Sequence, residues 1–318
     1  MSTINIVVLN QLGERHKAAI LKEMPDAAIQ VATLEQAPTY MPDCNILAVW
    51  GWMNAAPLCQ AAPHLRWVHA LTAGVEGLMV PEFQQSPVLL TNSRGIHGIP
   101  VSEHVLALML TFSRGIHHAL RQQAESRWQR FDTGEIYEKT LAIVGLGSIG
   151  REIAKKAKAM GMRVLASKQT VTQELFVDKL YPADNASLCE MLSQADFVIV
   201  ALPLMDETKE MFRLEHFTAM KQHACFINIA RGGVVRETDL VTALEQRLIG
   251  CAGLDVFTVE PLPSDSPLWS MPNVIITPHV AALSPAYLDR AIQLFTDNLA
   301  RFAAGGDMLN IINKQRGY

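Results

Sequence analysis

Three side chains suited to acid–base and anion chemistry follow three apolar runs in the C-terminal half of the chain. Arg231 stands in Asn228-Ile-Ala-Arg-Gly-Gly233, Glu260 in the stretch that begins Gly253-Leu-Asp-Val-Phe257, and His279 in Thr277-Pro-His-Val-Ala281. Taken singly, each has an ordinary explanation: a surface arginine, a loop carboxylate, a polar packing histidine. Together they match one reaction, the reduction of a carbonyl that sits beside a carboxylate. A guanidinium fork matches carboxylate oxygens and polarises the neighbouring carbonyl. An imidazolium can protonate a nascent alkoxide near neutral pH. A carboxylate paired with an imidazole fixes its tautomer and favours its protonated form.

The elements that must position these groups can be read from periodicity. Residues 141–144 form a short apolar run that predicts a buried parallel strand. Gly145, Gly147 and Gly150 follow as G-x-G-x-x-G, and Ile149, Ile153, Ala154, Ala157 and Met160 recur at helical spacing. Residues 162–166 then predict a second strand. Strand, glycine turn, helix and strand in that order make a dinucleotide fingerprint rather than a stray match. The amides of Ser148 and Ile149 open the helix, where backbone N–H groups meet phosphate charge. Further strands are predicted at 197–201, 225–229, 251–256 and 274–277, with a helix at 237–248 and a last one at 285–304. The first third predicts strands at 4–9, 44–50, 66–71 and 88–91 and a helix at 14–24. Residues 100–127 predict one long helix whose apolar face (Val101, Val105, Leu108, Met109, Phe112) suits a connector or a subunit interface. The fold class is therefore α/β: two doubly wound parallel-sheet domains, a Rossmann cofactor domain (98–284) and a flavodoxin-like substrate domain (1–97 and 285–318).

Composition bounds the partners. The chain has 318 residues, 49% hydrophobic and 18% charged, with a formal net charge of -4. A core of this size is expected to fold, and no basic excess is present to neutralise nucleic-acid phosphates. Cys44, Cys59, Cys189, Cys225 and Cys251 are scattered without C-x-x-C or zinc-type spacing, so no metal site is expected and reduced cysteines in a cytoplasmic protein are. The chain starts directly with a strand, and no apolar run reaches membrane-spanning length, so neither a signal peptide nor a membrane partner is expected.

The motifs Ala73-Gly-Val75, Gly145-Leu-Gly-Ser-Ile-Gly150, Leu202-Pro-Leu204, Ala230-Arg-Gly232, Leu254-Asp-Val-Phe257 with Glu260-Pro261, and Pro278-His279 occur in that order. In them the chain resembles the D-isomer-specific 2-hydroxyacid dehydrogenase family over nearly its whole length. The resemblance implies a catalytic set of Arg231, Glu260 and His279, with Leu202, Pro203, Ala230 and Asp255 near the cofactor. It implies that the amides of Ala73, Gly74 and Val75 bind the substrate carboxylate and that the protein is a homodimer. Among family-like alternatives, a cofactor-sensing corepressor would not need the intact Arg/Glu/His set. Formate dehydrogenases of this kind carry a glutamine where Glu260 stands, and a phosphite-type oxidation is the other alternative.

Two points stay open on sequence. NAD-binding members usually place a carboxylate at the end of the second cofactor strand, to accept from the ribose 2′-OH. Here that strand runs into Ser167-Lys-Gln-Thr170. Without a carboxylate there to repel a 2′-phosphate, Lys168 is free to meet one, which favours NADP(H) over NAD(H). The other reading is that Lys168 points to solvent. The substrate side chain is expected to meet Trp50, Trp52 and Met53, with Leu283 and a partner subunit's Trp128 as further candidates. The tryptophans either line a pocket for a small 2-oxo or 2-hydroxy acid or are core residues of the first domain. The first reading favours glyoxylate and hydroxypyruvate, because neither 50–53 nor 72–77 carries a cation for a phosphorylated substrate.

Overall fold

The computed structural model describes residues 3–170 and 173–315; residues 1–2, 171–172 and 316–318, which include both outer ends of the predicted substrate domain, lie outside the described residues. The chain divides into two compact units, one made of Met1–Ile96 with Ser284–Tyr318 and the other of His97–Leu283.

The first unit holds β1 (Asn5–Val8), β2 (Ala28–Val31), β3 (Ile46–Val49), β4 (Trp67–Ala70) and β5 (Leu89–Asn92). All pair in parallel, in the order β2-β1-β3-β4-β5, the flavodoxin-like arrangement. Strand alternation sends Ile6, Val8, Ile46, Ala48 and Trp67 to one face, under Ile20 of the Glu14–Glu23 helix and Phe295 and Leu299 of the Tyr287–Ala304 helix. Val7, Leu47, Val49, Val68 and Leu90 fill the other face with Leu58 and Phe83. The sequence carries no clear signal for β2. As a half-exposed edge strand with Gln30 among its four residues, it lacks the continuous apolar run that marks its neighbours.

A chain of polar groups runs through this core. Trp67 Nε1 donates to Thr91 Oγ1 (2.8 Å), and Ser93 Oγ donates to the Ala70 carbonyl (3.1 Å). His69 bridges them, its Nδ1 2.8 Å from Thr91 Oγ1 and its Nε2 3.1 Å from Ser93 Oγ. Each hydroxyl has one proton to give, so the bonds close when Thr91 donates to Nδ1 and Nε2–H donates to Ser93. That selects the neutral Nε2–H tautomer.

The second unit holds β6 (Thr140–Val144), β7 (Arg163–Ser167), β8 (Lys179–Tyr181), β9 (Phe197–Val200), β10 (Cys225–Asn228), β11 (Cys251–Leu254) and β12 (Val274–Ile276). They are parallel in the order β12-β11-β10-β9-β6-β7-β8, so every strand ends on the same edge. The order reverses between β6 and β9, which is where ligands of doubly wound sheets bind. Short β8 carries no clear signal either, being three residues with only Tyr181 fully buried.

The predicted helix 100–127 is two helices, Gly98–Ser113 and Ile116–Ala124. Gly115 separates them in the left-handed region (φ 64°), a conformation that costs glycine little. The first helix buries Val101, Val105, Leu108 and Met109 against Ile143, Ile153, Ala154 and Ile227 of its own unit, so that face is spent internally. Ile116, Leu120 and Trp128 beyond the break are exposed. The 237–248 helix ends earlier, at Glu245.

Burial pushes the pKa of His69 down to about 3. In the unfolded chain an ordinary histidine titrates at about 6.5. Below that pH the unfolded state takes up a proton that the folded state refuses, so stability is complete above it and falls as pH drops towards 3. The expected slope from this group is about 1.4 kcal/mol per pH unit. Denaturant unfolding of His69→Gln should therefore lose less stability than the parent between about pH 7 and about pH 5. Equal losses in the two proteins would contradict the buried neutral imidazole.

Candidate active site

Strand register brings the three reactive loops together. Asn228 on β10 pairs with Leu254 on β11, and Leu254 with Ile276 on β12, so these residues form one row at the carboxyl edge. Arg231 lies three residues beyond that row, Asp255 one, and His279 three.

The Arg231 loop is braced by Asn228, whose buried side chain accepts from Ala230 N (3.0 Å) and donates to the Arg231 carbonyl (3.2 Å). Arg231 also donates to the Ala230 carbonyl (2.8 Å). A Cβ on Gly232 would run into the backbone of Phe257 and Thr258, so only glycine lets this loop lie against the one that carries Glu260. Beside Arg231 lies His97, a residue with no motif to mark it. Burial, and then the charge of Arg231, depress the pKa of His97 to about 4.

His279 sits in the left-handed region (φ 54°), unusual for a residue with a Cβ. Asp255 holds it there. The Asp255 carbonyl accepts from His279 N (2.9 Å), Oδ1 accepts from Val280 N (2.9 Å) and Thr277 Oγ1 (2.6 Å), and Oδ2 accepts from Ala281 N (2.9 Å). Asp255 is 1% exposed, and both oxygens of its carboxylate are bonded to the turn that carries His279. Thr277 gives its proton to Asp255, so His104 Nε2, 3.1 Å from the same hydroxyl, is the donor to it. Burial lowers the His104 pKa, partly offset by the Asp255 charge. His104 could have been found in the sequence as a polar residue on the face of Val101, Val105 and Leu108.

His279 Nδ1 lies 2.7 Å from Glu260 Oε2, while Glu260 Oε1 accepts from Phe257 N (3.0 Å). The carboxylate is thus pinned from both sides, and Nε2 is the ring nitrogen left to meet a reacting atom. The imidazole is about half exposed (47%). With Nδ1–H given to Glu260, Nε2 can take up a proton and, as the imidazolium, give one to a neighbouring oxygen.

The glycine turn fits a dinucleotide pyrophosphate. Gly145 has φ 99°, and a Cβ there would meet the Ala201 carbonyl (2.7 Å) and Leu202 (2.8 Å). Above Gly147 a Cβ would meet nothing within 4 Å, which leaves space over the loop. The Ser148–Ala159 helix begins there, and its first intrahelical bond is Arg151 N to the Gly147 carbonyl (3.0 Å). The amides of Ser148, Ile149 and Gly150 precede that bond and have no partner within the helix. Gly150 is buried against Ile143, while Pro203 and Leu204 are exposed beyond β9.

Ser167 is buried, and its carbonyl accepts from Leu146 N (3.2 Å), tying the end of β7 to the glycine turn. Lys168 does not point to solvent: its Nζ lies 2.6 Å from Glu174 Oε1. A carboxylate absent from the strand end in sequence is thus supplied from the following loop, and Arg151 pairs with it too.

In the first unit, Thr72 Oγ1 accepts from Gly51 N (2.9 Å) and donates to the Gly74 carbonyl (2.7 Å). This bond ties the Trp50–Trp52 loop to the one carrying Ala73, Gly74 and Val75. Trp52 is 66% exposed and stacks on Trp50 at 6.4 Å between ring centroids, so it is not a core residue. Among the described residues no group of His, Cys, Asp and Glu could hold a metal ion, and no helix is long and apolar enough to cross a membrane.

Residues 106–281 match the family model described as D-isomer specific 2-hydroxyacid dehydrogenase, NAD binding domain. A D-3-phosphoglycerate dehydrogenase from Synechocystis is 39% identical over 227 residues, 71% of this chain but only 40% of that longer protein. A glyoxylate reductase from Korarchaeum cryptofilum is 33% identical over 266 residues, covering 82% of this chain and 80% of the relative. Among solved structures, a D-isomer specific 2-hydroxyacid dehydrogenase family protein from Aeromonas salmonicida superposes with a TM-score of 0.89 at 34% identity, covering 98% of this chain and 100% of that one. An NADPH-dependent glyoxylate/hydroxypyruvate reductase from Sinorhizobium meliloti, solved with NADP and sulfate, gives 0.82 at 28% identity with full coverage of both chains (100% and 100%).

Replacing Asp255 by alanine strands the Thr277 hydroxyl and the Val280 and Ala281 amides. The expected cost is about 3–5 kcal/mol of unfolding free energy. Denaturant unfolding checks it, and a loss below about 1 kcal/mol would show that the turn holds without its clamp.

Proposed function

Because this chain belongs to the D-isomer-specific 2-hydroxyacid dehydrogenase family, we propose that it reduces small unphosphorylated 2-oxo acids to D-2-hydroxy acids, glyoxylate and hydroxypyruvate first. The observation that carries this reading is the 2.7 Å pairing of His279 with Glu260 at the same sheet edge as Arg231. When bound at the glycine turn, a reduced nicotinamide dinucleotide supplies the hydride. Gly145, Gly147 and the amides of Ser148, Ile149 and Gly150 hold its pyrophosphate, and Leu202, Pro203 and Ala230 line its path. Lys168 and Arg151, paired with Glu174 beside Ser167, stand where its adenosine ribose would lie, and two cations against one carboxylate favour NADP(H) over NAD(H).

Arg231 takes the substrate carboxylate with its guanidinium fork and draws electron density from the adjacent carbonyl. The amides of Ala73, Gly74 and Val75 take a carboxylate oxygen, and Trp50 and Trp52 limit the substrate's side chain. His279 Nε2–H gives its proton to the oxygen as the alkoxide forms, while Glu260 steadies the imidazolium. Asp255 acts through position, by keeping the His279 turn in place. The exposed Ile116, Leu120 and Trp128 suit a homodimer contact, and the five free cysteines suit a reducing cytoplasm. Sedimentation at micromolar concentration should give twice the chain mass; a monomer would refute the dimer.

The enzymatic test is NADPH consumption with glyoxylate, hydroxypyruvate, pyruvate and bulkier 2-oxo acids. Turnover should be highest for the smallest acids, and none with any of them would end the proposal. His279→Ala and Arg231→Ala should each lower kcat/KM by about 10³-fold or more, and Glu260→Gln by about 10²-fold, chiefly in kcat. Wild-type-like rates in Glu260→Gln would reduce Glu260 to a structural residue.

A further inference from the structure

At the carboxyl end of β7 two cations converge on one carboxylate. Arg151 Nε and Nη2 reach the two oxygens of Glu174 (2.8 and 2.7 Å), and Lys168 Nζ reaches Oε1 (2.6 Å). The two cations come from elements that frame the glycine turn. Arg151 follows Gly150 in the first turn of the Ser148–Ala159 helix, and Lys168 follows the last residue of β7. Glu174 comes from the loop that leads to β8. Its approach is set by Asp178, which accepts from Val164 N (2.7 Å) and from Lys158 (2.9 Å) and so returns the chain to the edge of β7. The Glu174 side chain is only 9% exposed although it lies on a loop, and its two cationic partners hold its pKa down to about 2. It is a permanent anion in a socket built from a guanidinium fork and an ammonium.

That socket stands where a doubly wound fold places the adenosine ribose of its cofactor, since Ser167 is bonded to the glycine turn through Leu146. A fork and a point charge on either side of an anion are the groups that recognise a phosphate. We propose that Glu174 is an internal occupant of the 2′-phosphate subsite: it holds Arg151 and Lys168 in place and must release both before a 2′-phosphorylated nucleotide can use them. The inference rests on the cofactor reading above and adds its specificity-determining residue. With Glu174 present, a 2′-phosphate competes with a carboxylate for the same hydrogen bonds and meets its charge at close range. Without it, both cations are available at once. A nucleotide with a plain 2′-OH needs neither cation, and both oxygens of Glu174 are already bonded to Arg151 and Lys168, so its affinity changes little with the exchange. Glu174 thus narrows the preference for NADP(H) that Arg151 and Lys168 would otherwise create.

The test is calorimetric titration of the full chain with adenosine 2′,5′-bisphosphate and with 5′-AMP, comparing the parent, Glu174→Gln and the pair Arg151→Ala/Lys168→Ala. Glutamine keeps the size of the side chain and removes its charge. Glu174→Gln should bind the bisphosphate about five- to tenfold more tightly and AMP within about twofold of the parent. The double alanine variant should lose affinity for the bisphosphate alone. Weaker or unchanged bisphosphate binding in Glu174→Gln, or an equal gain for both nucleotides, overturns the role of Glu174 while leaving the cofactor reading intact. A parent that does not distinguish the two nucleotides, with a double variant that behaves like it, overturns the cofactor reading and this inference together.

Discussion

The carboxylate of Asp255 is the fixed point of the candidate active site. A buried acid is costly unless its oxygens are taken up by donors, and here the donors are the Thr277 hydroxyl and the amides of Val280 and Ala281. Those bonds, with the one from His279 N to the Asp255 carbonyl, hold His279 in a left-handed conformation that a residue with a Cβ seldom adopts. The ring is thereby aimed so that one nitrogen meets Glu260. Glu260 in turn is aimed by Phe257 N, on the segment that follows Asp255. Strand pairing fixes where Asp255 stands, and the placing of His279 and Glu260 is referred to that position.

Much of this architecture was legible because parallel strands buried on both faces read as unbroken apolar runs. Residues 141–144 and 197–201 announce β6 and β9 in that way. The strands that escaped notice are edge strands: β2 carries a glutamine and is half exposed, and β8 is three residues long. They are held by one neighbour each, so selection for apolarity acts on them weakly. The helix break at Gly115 escaped for another reason. Apolar spacing persists on both sides of it, and a single glycine inside a periodic stretch reads as a tolerated residue until its left-handed conformation is seen.

Within the site, residue types were easier to read than partnerships. Arg231, Glu260 and His279 could be chosen from their positions after strands, and register then places them on one edge. That Asp255 clamps the His279 turn could not be read, because the groups it accepts from lie 22 to 26 residues further along the chain. The acidic partner of Lys168 was hidden for a similar reason. The second cofactor strand ends without a carboxylate, yet Glu174, seven residues beyond Ser167, folds back to the same place. Local spacing cannot show a contact made by a returning loop.

The geometry makes the Asp255 clamp and the Glu260 carboxylate one unit acting on His279. A double-mutant cycle with Asp255→Asn and Glu260→Gln tests it most directly, read as kcat for glyoxylate reduction in folded protein. If both residues work only through His279, the double variant should be no slower than the worse single variant, with a coupling energy of about 1 kcal/mol or more. Losses that simply add, to within about 0.3–0.5 kcal/mol, would show two independent roles and contradict the account.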